Sequence, residues 1–431
     1  MPSAGAGDRG CFYNYIANVT EEVSHIKVDF NLLGIEQIII FFLLVIAITT
    51  WITNKLPIPN TVGLVVAGLI LTIIPTFHIE LPELTSELIL ALFLPPILFQ
   101  AAYQLNIYEL RKNLSLIALL VTVGVLLTTV IVAVIIALLH PVMGLLLAAV
   151  FGALISAIDP VAVIALFNEN PISARLKTLI EGESLLNDGT AIVIFAIVLQ
   201  AVQSGGDLNV FTGLLDFARV AFGGVLVGGI IGYLVARLLY HIDDPIVEMM
   251  LTTCLAFGSY LVAEQFHVSG VLAVVAAGLM HGYIGFSNMS ELTQQTVNIV
   301  WAYLAELANA AIFLLIGLTI KLEDILSHLP LVALAIFAVL VSRIVIVYGL
   351  APLHTRIFHR DRPLPMNWRH IMFWGGQRGA VSLALALSLP YDLPQRDSLL
   401  IMTFGVVLFT SLVQATTMPS LIQRLDLSKD Q

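Results

Sequence analysis

Four acidic residues stand inside long apolar stretches of this sequence and are the residues best placed to do chemistry. Asp159 lies in ALISAIDPVAVIALF, and Glu181, Glu183 and Asp188 lie in LIEGESLLNDGTAIVIF. A charge at the middle of a bilayer costs several kcal/mol, about 3 on insertion scales, so such residues usually line a polar pathway. We therefore expect the rest of the chain to be a scaffold that holds these carboxylates.

The Asp159-Pro160 pair falls in the middle of what would otherwise be a spanning helix. Pro160 has no N–H to donate to the Ser156 carbonyl, and its ring crowds the same carbonyl. A spanning helix tolerates such a break where the freed groups face protein or water. The pair predicts a discontinuous helix whose loose carbonyls and Asp159 carboxylate bind a cation. The alternative is that Asp159 only caps a second helix with Pro160 at its first position.

The spacing in the second stretch divides its acids between two helix faces. Residues three and four apart share a face, so Glu181, Ser184 and Asp188 are predicted to look at one surface. Glu183 lies about 140° from Asp188 around the helix, at 100° per residue. Asp188 is therefore predicted in the binding site and Glu183 in an ion pair with a distant intramembrane arginine. A neutral Asp188 that only holds helices together is the alternative.

Composition places the chain in the membrane. Of its 431 residues, 59% are hydrophobic and 11% are charged, whereas soluble proteins have about 45–50% and 25%. The mean hydropathy is +0.98. Cys11 and Cys254 are far apart and form neither a disulfide framework nor a zinc motif. Walker A, GxGxxG, GxSxG and HExxH patterns are absent from the sequence, so we expect a transporter rather than an enzyme, and no cofactor.

Apolar stretches of about 20 residues predict an all-α polytopic membrane protein with thirteen spanning helices. The predicted spans are 35–53, 58–75, 85–104, 114–139, 142–168, 179–203, 210–240, 246–265, 268–285, 297–320, 328–353, 368–390 and 398–421. They form one transmembrane domain over 35–421. An extracytoplasmic segment, 1–34, precedes it and a short cytoplasmic tail, 422–431, follows it.

The loop charges predict the orientation of the chain. Alternate loops and the tail carry twelve basic residues: Lys55, Arg111, Lys112, Arg175, Lys177, Arg237, Arg356, Arg360, Arg362, Arg369, Arg424 and Lys429. The opposite side carries five: Arg9, Lys27, Arg219, Lys321 and Arg396. By the positive-inside rule the N-terminus is outside and the C-terminus is cytoplasmic. The other two basic residues, Arg343 and Arg378, fall inside predicted spans.

An odd number of helices suggests two inverted six-helix repeats around a linking seventh helix. The broken helix near 142–168 is then matched by the helix near 368–390, which contains WGGQRG. Gly375, Gly376 and Gly379 would give backbone freedom there, and interrupted segments at matching positions point to a transporter site. Close packing of small residues is the alternative, although a buried Arg378 argues against packing alone. Pro160, Gly375, Gly376 and Arg378 are the predicted supports of two crossed, discontinuous helices.

Glu306 and Glu181 are predicted to modulate the site. Glu306 lies in AYLAELANAAIFLLIGL, which predicts a buried acid that tunes cation access or pH response. A structural, hydrogen-bonded acid explains Glu306 equally well.

Four motifs, in this order and spacing, are typical of one family. SAIDPVAVIALF, EGESLLNDGTAIVIF, AEQFHVSG and WGGQRGAVSLAL resemble the NhaP-type sodium/proton exchangers of the monovalent cation:proton antiporters, over roughly residues 35–420. The resemblance implies thirteen helices, a homodimer, and a mobile core domain that slides against a dimerisation domain. It also implies exchange of Na⁺ or Li⁺ for H⁺ and a role in pH homeostasis.

The same resemblance assigns residues. It implies that Asp188 binds either the cation or the proton, and that Asp159, Ser184 and backbone carbonyls complete the Na⁺ site. Some members have threonine where this chain has Ile158, so only the Ile158 carbonyl is available there.

Three further assignments rest on the resemblance. Asn187 implies electroneutral one-for-one exchange, because the electrogenic branch has a second aspartate at this position. Glu183 would pair with Arg343, and Arg378 would stabilise the crossed helices. The short tail points to a prokaryotic source and an inner-membrane location.

Other functions use similar residues. A channel would pass current through the same carboxylates without moving protons against a cation gradient. An intramembrane aspartyl protease would need a GxGD pattern, which the sequence lacks. Exchange of K⁺ or Ca²⁺ for H⁺ through the same site stays open, because hard cations all prefer oxygen ligands.

Overall fold

The computed structural model describes residues 35–56, 59–73, 86–160, 163–164, 166–167, 172–205, 210–242, 244–285, 289–319, 322–357 and 363–425. All regular elements in these ranges are helical. The predicted segment 1–34 and residues 426–431 of the predicted tail lie outside the described residues.

Thirteen main helical segments follow one another in the described ranges, one of them in two halves. They are α1 Ile35–Thr53, α2 Asn60–Ile73, α3 Ser86–Gln104, α4 Ile107–Leu139, α5 Gly144–Leu154, α6 Ala174–Gln203, α7 Val210–Leu239, α8 Pro245–Gln265, α9 Gly270–Met280, α10 Glu291–Thr319, α11 Leu329–Ile344 (continued by Val345–Leu350 and Ala351–Ile357), α12a Met366–Trp374 with α12b Ala380–Leu387, and α13 Arg396–Leu425. A single 3₁₀ turn, Pro141–Met143, precedes α5, and a six-residue helix, Leu322–Ser327, precedes α11.

The all-α membrane fold is confirmed. In the described part of the chain eight helices are long and apolar enough to cross a membrane, and α2, α3, α5 and α9 are shorter apolar helices. The interrupted α12 completes the thirteen predicted segments. Large apolar side chains such as Ile40, Trp51 and Phe222 are exposed on the outside, as a lipid-facing surface requires.

Three helices begin earlier than their apolar spans predict. The spans start at 114, 179 and 297, but α4, α6 and α10 start at Ile107, Ala174 and Glu291. Their first turns are polar, so an apolar window cannot detect them. At the start of α4 the Asn106 side chain accepts a hydrogen bond from the Glu109 N–H at 3.2 Å, which caps the helix.

The helices pack in two groups. In one group α4 packs on α5, α6 and α11, while α13 packs on α11, α12a and α12b. In the other, α10 packs on α2 and α3, and α9 packs on α3, α7 and α8. The helices α3, α6, α9, α10 and α12b contact one another across the boundary. The interrupted helices of the first group therefore face α3 of the second.

Candidate cation site

The Asp159-Pro160 pair breaks the fifth segment, as the sequence predicts. Helix α5 ends at Leu154, Ala157–Pro160 are not helical, and helical residues return at 163–164 and 166–167. The Asp159 N–H donates to the Gln377 carbonyl at 2.8 Å. Because Gln377 lies between α12a and α12b, the two interruptions cross and hydrogen-bond to each other.

Arg378 holds the free end of α5. Its Nη1 donates to the carbonyls of Ser156 at 2.9 Å and Ala157 at 3.0 Å. These carbonyls lack an intrahelical partner because the helix stops there. Arg378 is 2% exposed, and its own N–H donates to the Thr410 hydroxyl at 3.2 Å. The guanidinium therefore replaces the helical hydrogen bonds that the break removes.

The glycines of WGGQRG provide room for neighbouring charged side chains. Gly375 has φ −79° and Gly379 has φ −144°, values that other residues adopt. A Cβ on Gly379 would lie 1.8 Å from Asp159 Oδ2. One on Gly376 would lie 2.7 Å from Arg343 Nε. The missing side chains let the interruption lie against these two charged groups.

Asp188 and Asp159 line one cavity of about 310 Å³. Glu181 and Ser184 line it as well. Glu181, Ser184 and Asp188 therefore face the same cavity from one side of α6, as their spacing predicts. Asp188 is 7% exposed, and its Oδ1 has no hydrogen-bond partner. Buried carboxylate oxygens are normally satisfied, so an unsatisfied one on a residue that lines a cavity is suited to a proton or a cation.

Ser184 joins α6 to the break. Its hydroxyl donates to the Ile158 carbonyl at 2.8 Å. A carbonyl oxygen has two lone pairs, so Ile158 retains one for a second ligand. The cavity thus combines the three carboxylates of Asp159, Glu181 and Asp188 with the Ser184 hydroxyl. The Ile158 carbonyl lies beside it, and all of these are oxygen ligands that suit a hard cation.

Glu183 and Arg343 meet on the other side of α6. Arg343 Nη1 donates to Glu183 Oε1, and Nη2 donates to Oε2 at 3.1 Å. Glu183 is 2% and Arg343 4% exposed. Arg343 also donates from Nε and Nη2 to the Met372 carbonyl, at 3.1 and 2.8 Å. Both carboxylate oxygens are satisfied, and the pair ties α6 and α11 to the end of α12a.

The remaining predicted residues are placed less centrally. Glu181 faces the cavity, but its Oε1 also lies 3.7 Å from Lys177 Nζ. Asn187 is buried, does not line the cavity, and has an unpartnered Oδ1. Glu306 is exposed rather than buried, so that prediction was wrong. Its Oε1 accepts from Asn60 Nδ2 at 3.0 Å, because this face of α10 turns outward next to the start of α2.

Sequence reasoning missed several residues of the site. Gln377, Met372 and Thr410 act through backbone groups or a hydroxyl, which no charge pattern reveals. Gln100 and Gln104 of α3 line the cavity opposite the carboxylates and also escaped notice because they are neutral. Their spacing of four residues within an apolar helix was the available signal.

A family model described as the transmembrane sodium/hydrogen exchanger matches residues 40–424. The chain belongs to the sodium/hydrogen exchanger family. It is therefore a multi-pass transporter and not an enzyme.

Curated relatives agree with this membership. The chain is 38% identical over 377 residues to the Na⁺/H⁺ antiporter ApNhaP of Aphanothece halophytica, covering 87% of this chain and 71% of that protein. It is 37% identical over 405 residues to the Na⁺/H⁺ antiporter NhaP of Pseudomonas aeruginosa, covering 88% and 95%. The fold resembles the sodium proton antiporter MjNhaP1 of Methanocaldococcus jannaschii, with TM-score 0.72, 21% identity and coverage of 90% and 98%.

Proposed function

We propose that this chain exchanges Na⁺ for H⁺ across the membrane and that Asp188 is the carboxylate that takes either ion. The observation that carries the proposal is the buried, unpartnered Oδ1 of Asp188, a residue that lines one cavity with Asp159 and Ser184. The names of the relatives support the choice of Na⁺. Li⁺ would be accepted by the same oxygen ligands.

Competition for one carboxylate explains the coupling. A buried charge without a partner is costly, so the site is stable when Asp188 holds one proton or one cation. The empty, charged site does not cross between the two sides. Each Na⁺ that leaves is therefore replaced by a proton, and the gradient of one ion drives the other.

The first cation shell consists of this chain's own oxygens. Asp159 supplies a second carboxylate, Ser184 a hydroxyl, and Ile158 the free lone pair of its carbonyl. Gly379 leaves the space that the Asp159 carboxylate occupies, and Arg378 keeps the α5 carbonyls fixed. With neutral Asn187 next to Asp188, one positive charge moves each way and exchange is electroneutral.

The two groups of helices provide the moving parts. In the proposal the group built on α4, α5, α6, α11, α12 and α13 carries the site and slides against the second group, which forms a homodimer. The cavity then opens to one side at a time. The chain lies in the plasma membrane with its N-terminus outside and its C-terminus in the cytoplasm, in agreement with the loop charges.

Proteoliposomes with an imposed pH gradient test the function. Internal pH is followed after addition of Na⁺, Li⁺, K⁺ or Ca²⁺, with and without valinomycin and K⁺ to clamp the voltage. The proposal predicts proton movement triggered by Na⁺ or Li⁺ that does not depend on voltage.

Other outcomes select other functions. A response to K⁺ or Ca²⁺ alone would keep the site and change the substrate. Cation current without linked proton movement would contradict exchange and favour a channel.

A further inference from the structure

A second cavity adjoins the one that holds the carboxylates. Its volume is about 660 Å³, and its lining includes Tyr103, Gln104, Leu105 and Asn298. Gln104 and Leu105 line both cavities. The two spaces therefore lie on either side of these residues at the C-terminal end of α3, which is the cytoplasmic end in the predicted topology.

Amide groups lie along the boundary between the two spaces. Gln100 Nε2 donates to Gln104 Oε1 at 3.1 Å, as residues four apart on one helix face can. Gln104 Nε2 lies 3.4 Å from Tyr103 Oη and 3.5 Å from Asn298 Oδ1. The Tyr103 hydroxyl donates to the same Asn298 oxygen at 2.9 Å. The amides form a polar row from α10 to the carboxylate cavity.

The outer cavity offers little electrostatic attraction to a cation. Its described lining residues are Tyr103, Gln104, Leu105, Asn106, Ile107, Tyr108, Gly282, Tyr283 and Asn298, and none of them carries a charge. The Arg111 guanidinium lies 4.9 Å from the ring centroid of Tyr283 and repels cations at this end. A cation that approaches from this end therefore meets neutral oxygens before it reaches Asp159 and Asp188.

We propose that Gln104, with Gln100 behind it, is a positioning residue that takes over water ligands of the incoming cation on the cytoplasmic side. Amide oxygens can replace part of a hydration shell, as carbonyl oxygens do in ion filters. Being neutral, they hold the cation weakly enough for it to move on. The inference rests on the proposed function and adds a residue that sets the apparent affinity from one side of the membrane.

Two substitutions of Gln104 move the affinity in opposite directions. Gln104→Leu removes the amide and should raise the apparent KM for cytoplasmic Na⁺ about three- to tenfold, the equivalent of one lost hydrogen bond, with kcat little changed. Gln104→Glu keeps the shape and adds a negative charge. It should lower the KM at low salt, and the gain should fade as ionic strength rises.

Vesicles of known orientation test this sidedness. Inside-out vesicles expose the cytoplasmic face to added Na⁺, and right-side-out vesicles expose the other face. The KM shifts are expected for the cytoplasmic face only. Gln200→Leu and Gln200→Glu are the matched controls, because Gln200 is exposed on α6 and lines neither cavity.

The outcomes separate this inference from the function it rests on. The wild type is measured first, and the absence of Na⁺-dependent proton movement in it would overturn the exchange function itself. With an active wild type, equal losses of kcat at unchanged KM in both Gln104 variants would mean a structural role and overturn the inference. KM shifts of equal size from both faces would overturn it as well. The Glu variant keeps the test valid if the Leu variant does not fold.

Discussion

Glu183 and Asp188 are two buried carboxylates on one helix, five residues apart, and their surroundings differ in kind. Both oxygens of Glu183 accept hydrogen bonds from Arg343. Asp188 faces a cavity and has an oxygen without a partner. Burial alone therefore does not identify the working acid. In the proposed mechanism the satisfied carboxylate holds helices together, and the unsatisfied one binds and releases ions.

The largest effect is expected at Asp188. Asp188→Asn keeps the size of the side chain but removes the group that can hold a proton or balance a cation. Exchange in proteoliposomes should fall to the level of empty liposomes, while the thermal unfolding midpoint stays close to that of the wild type. Retained Na⁺-dependent proton flux in this variant would show that another acid does the exchange.

Gly379→Ala should cause a comparable loss by a steric route. Its Cβ would lie 1.8 Å from Asp159 Oδ2 and 2.4 Å from Asp159 Cβ, so the carboxylate must leave its position. We expect transport to be lost or the KM for Na⁺ to rise strongly. Gly258→Ala in α8 is the control, because nothing lies within 4 Å of its added Cβ. Equal activity of the two variants would refute the placement of Asp159.

Glu183→Gln should act on stability rather than on ion binding. Breaking a buried ion pair leaves Arg343 uncompensated and costs about 3–5 kcal/mol. The unfolding midpoint in detergent should drop clearly. Glu181→Gln on the same helix is the matched control for the unfolding midpoint. The partly exposed ion pair of Glu181 with Lys177 contributes about 1 kcal/mol or less to stability. The double variant Glu183→Gln with Arg343→Gln should recover part of the loss. Similar midpoints for Glu183→Gln and Glu181→Gln would contradict a structural role for the pair.

Ser184→Ala should give the smallest of these effects. It removes one hydroxyl ligand and the hydrogen bond to the Ile158 carbonyl, but leaves both carboxylates in place. The KM for Na⁺ should rise several-fold with kcat little changed. Ser184→Thr restores a hydroxyl and should restore the KM. If both variants behave like the wild type, Ser184 does not contact the cation.

The sequence predicts charged features well because a charge in an apolar stretch is conspicuous. The thirteen segments, the break at Pro160 and the division of α6 into two faces follow from apolar length, proline chemistry and helical spacing. The structure then brings Glu183 to Arg343 and Asp159 to the interruption of α12. These are long-range contacts that spacing alone does not define.

What the sequence could not provide depends on neutral groups and on space. The role of Gly379 depends on a residue 220 positions earlier in the chain. Gln104 is one of many polar residues near helix ends in the sequence, and only the structure shows that it lines two cavities. Glu306 was predicted buried because its helix is apolar, but helix rotation, set by packing, turns it outward.

Calorimetry of Na⁺ binding, with buffers of different ionisation enthalpy, tests the central claim most directly. The slope of the binding enthalpy against buffer enthalpy gives the number of protons released per Na⁺ bound. For the wild type the release should approach one proton per Na⁺ as the pH is lowered, and Asp188→Asn should release none. Na⁺ binding without proton release in the wild type, or unchanged release in Asp188→Asn, would contradict exchange at this carboxylate.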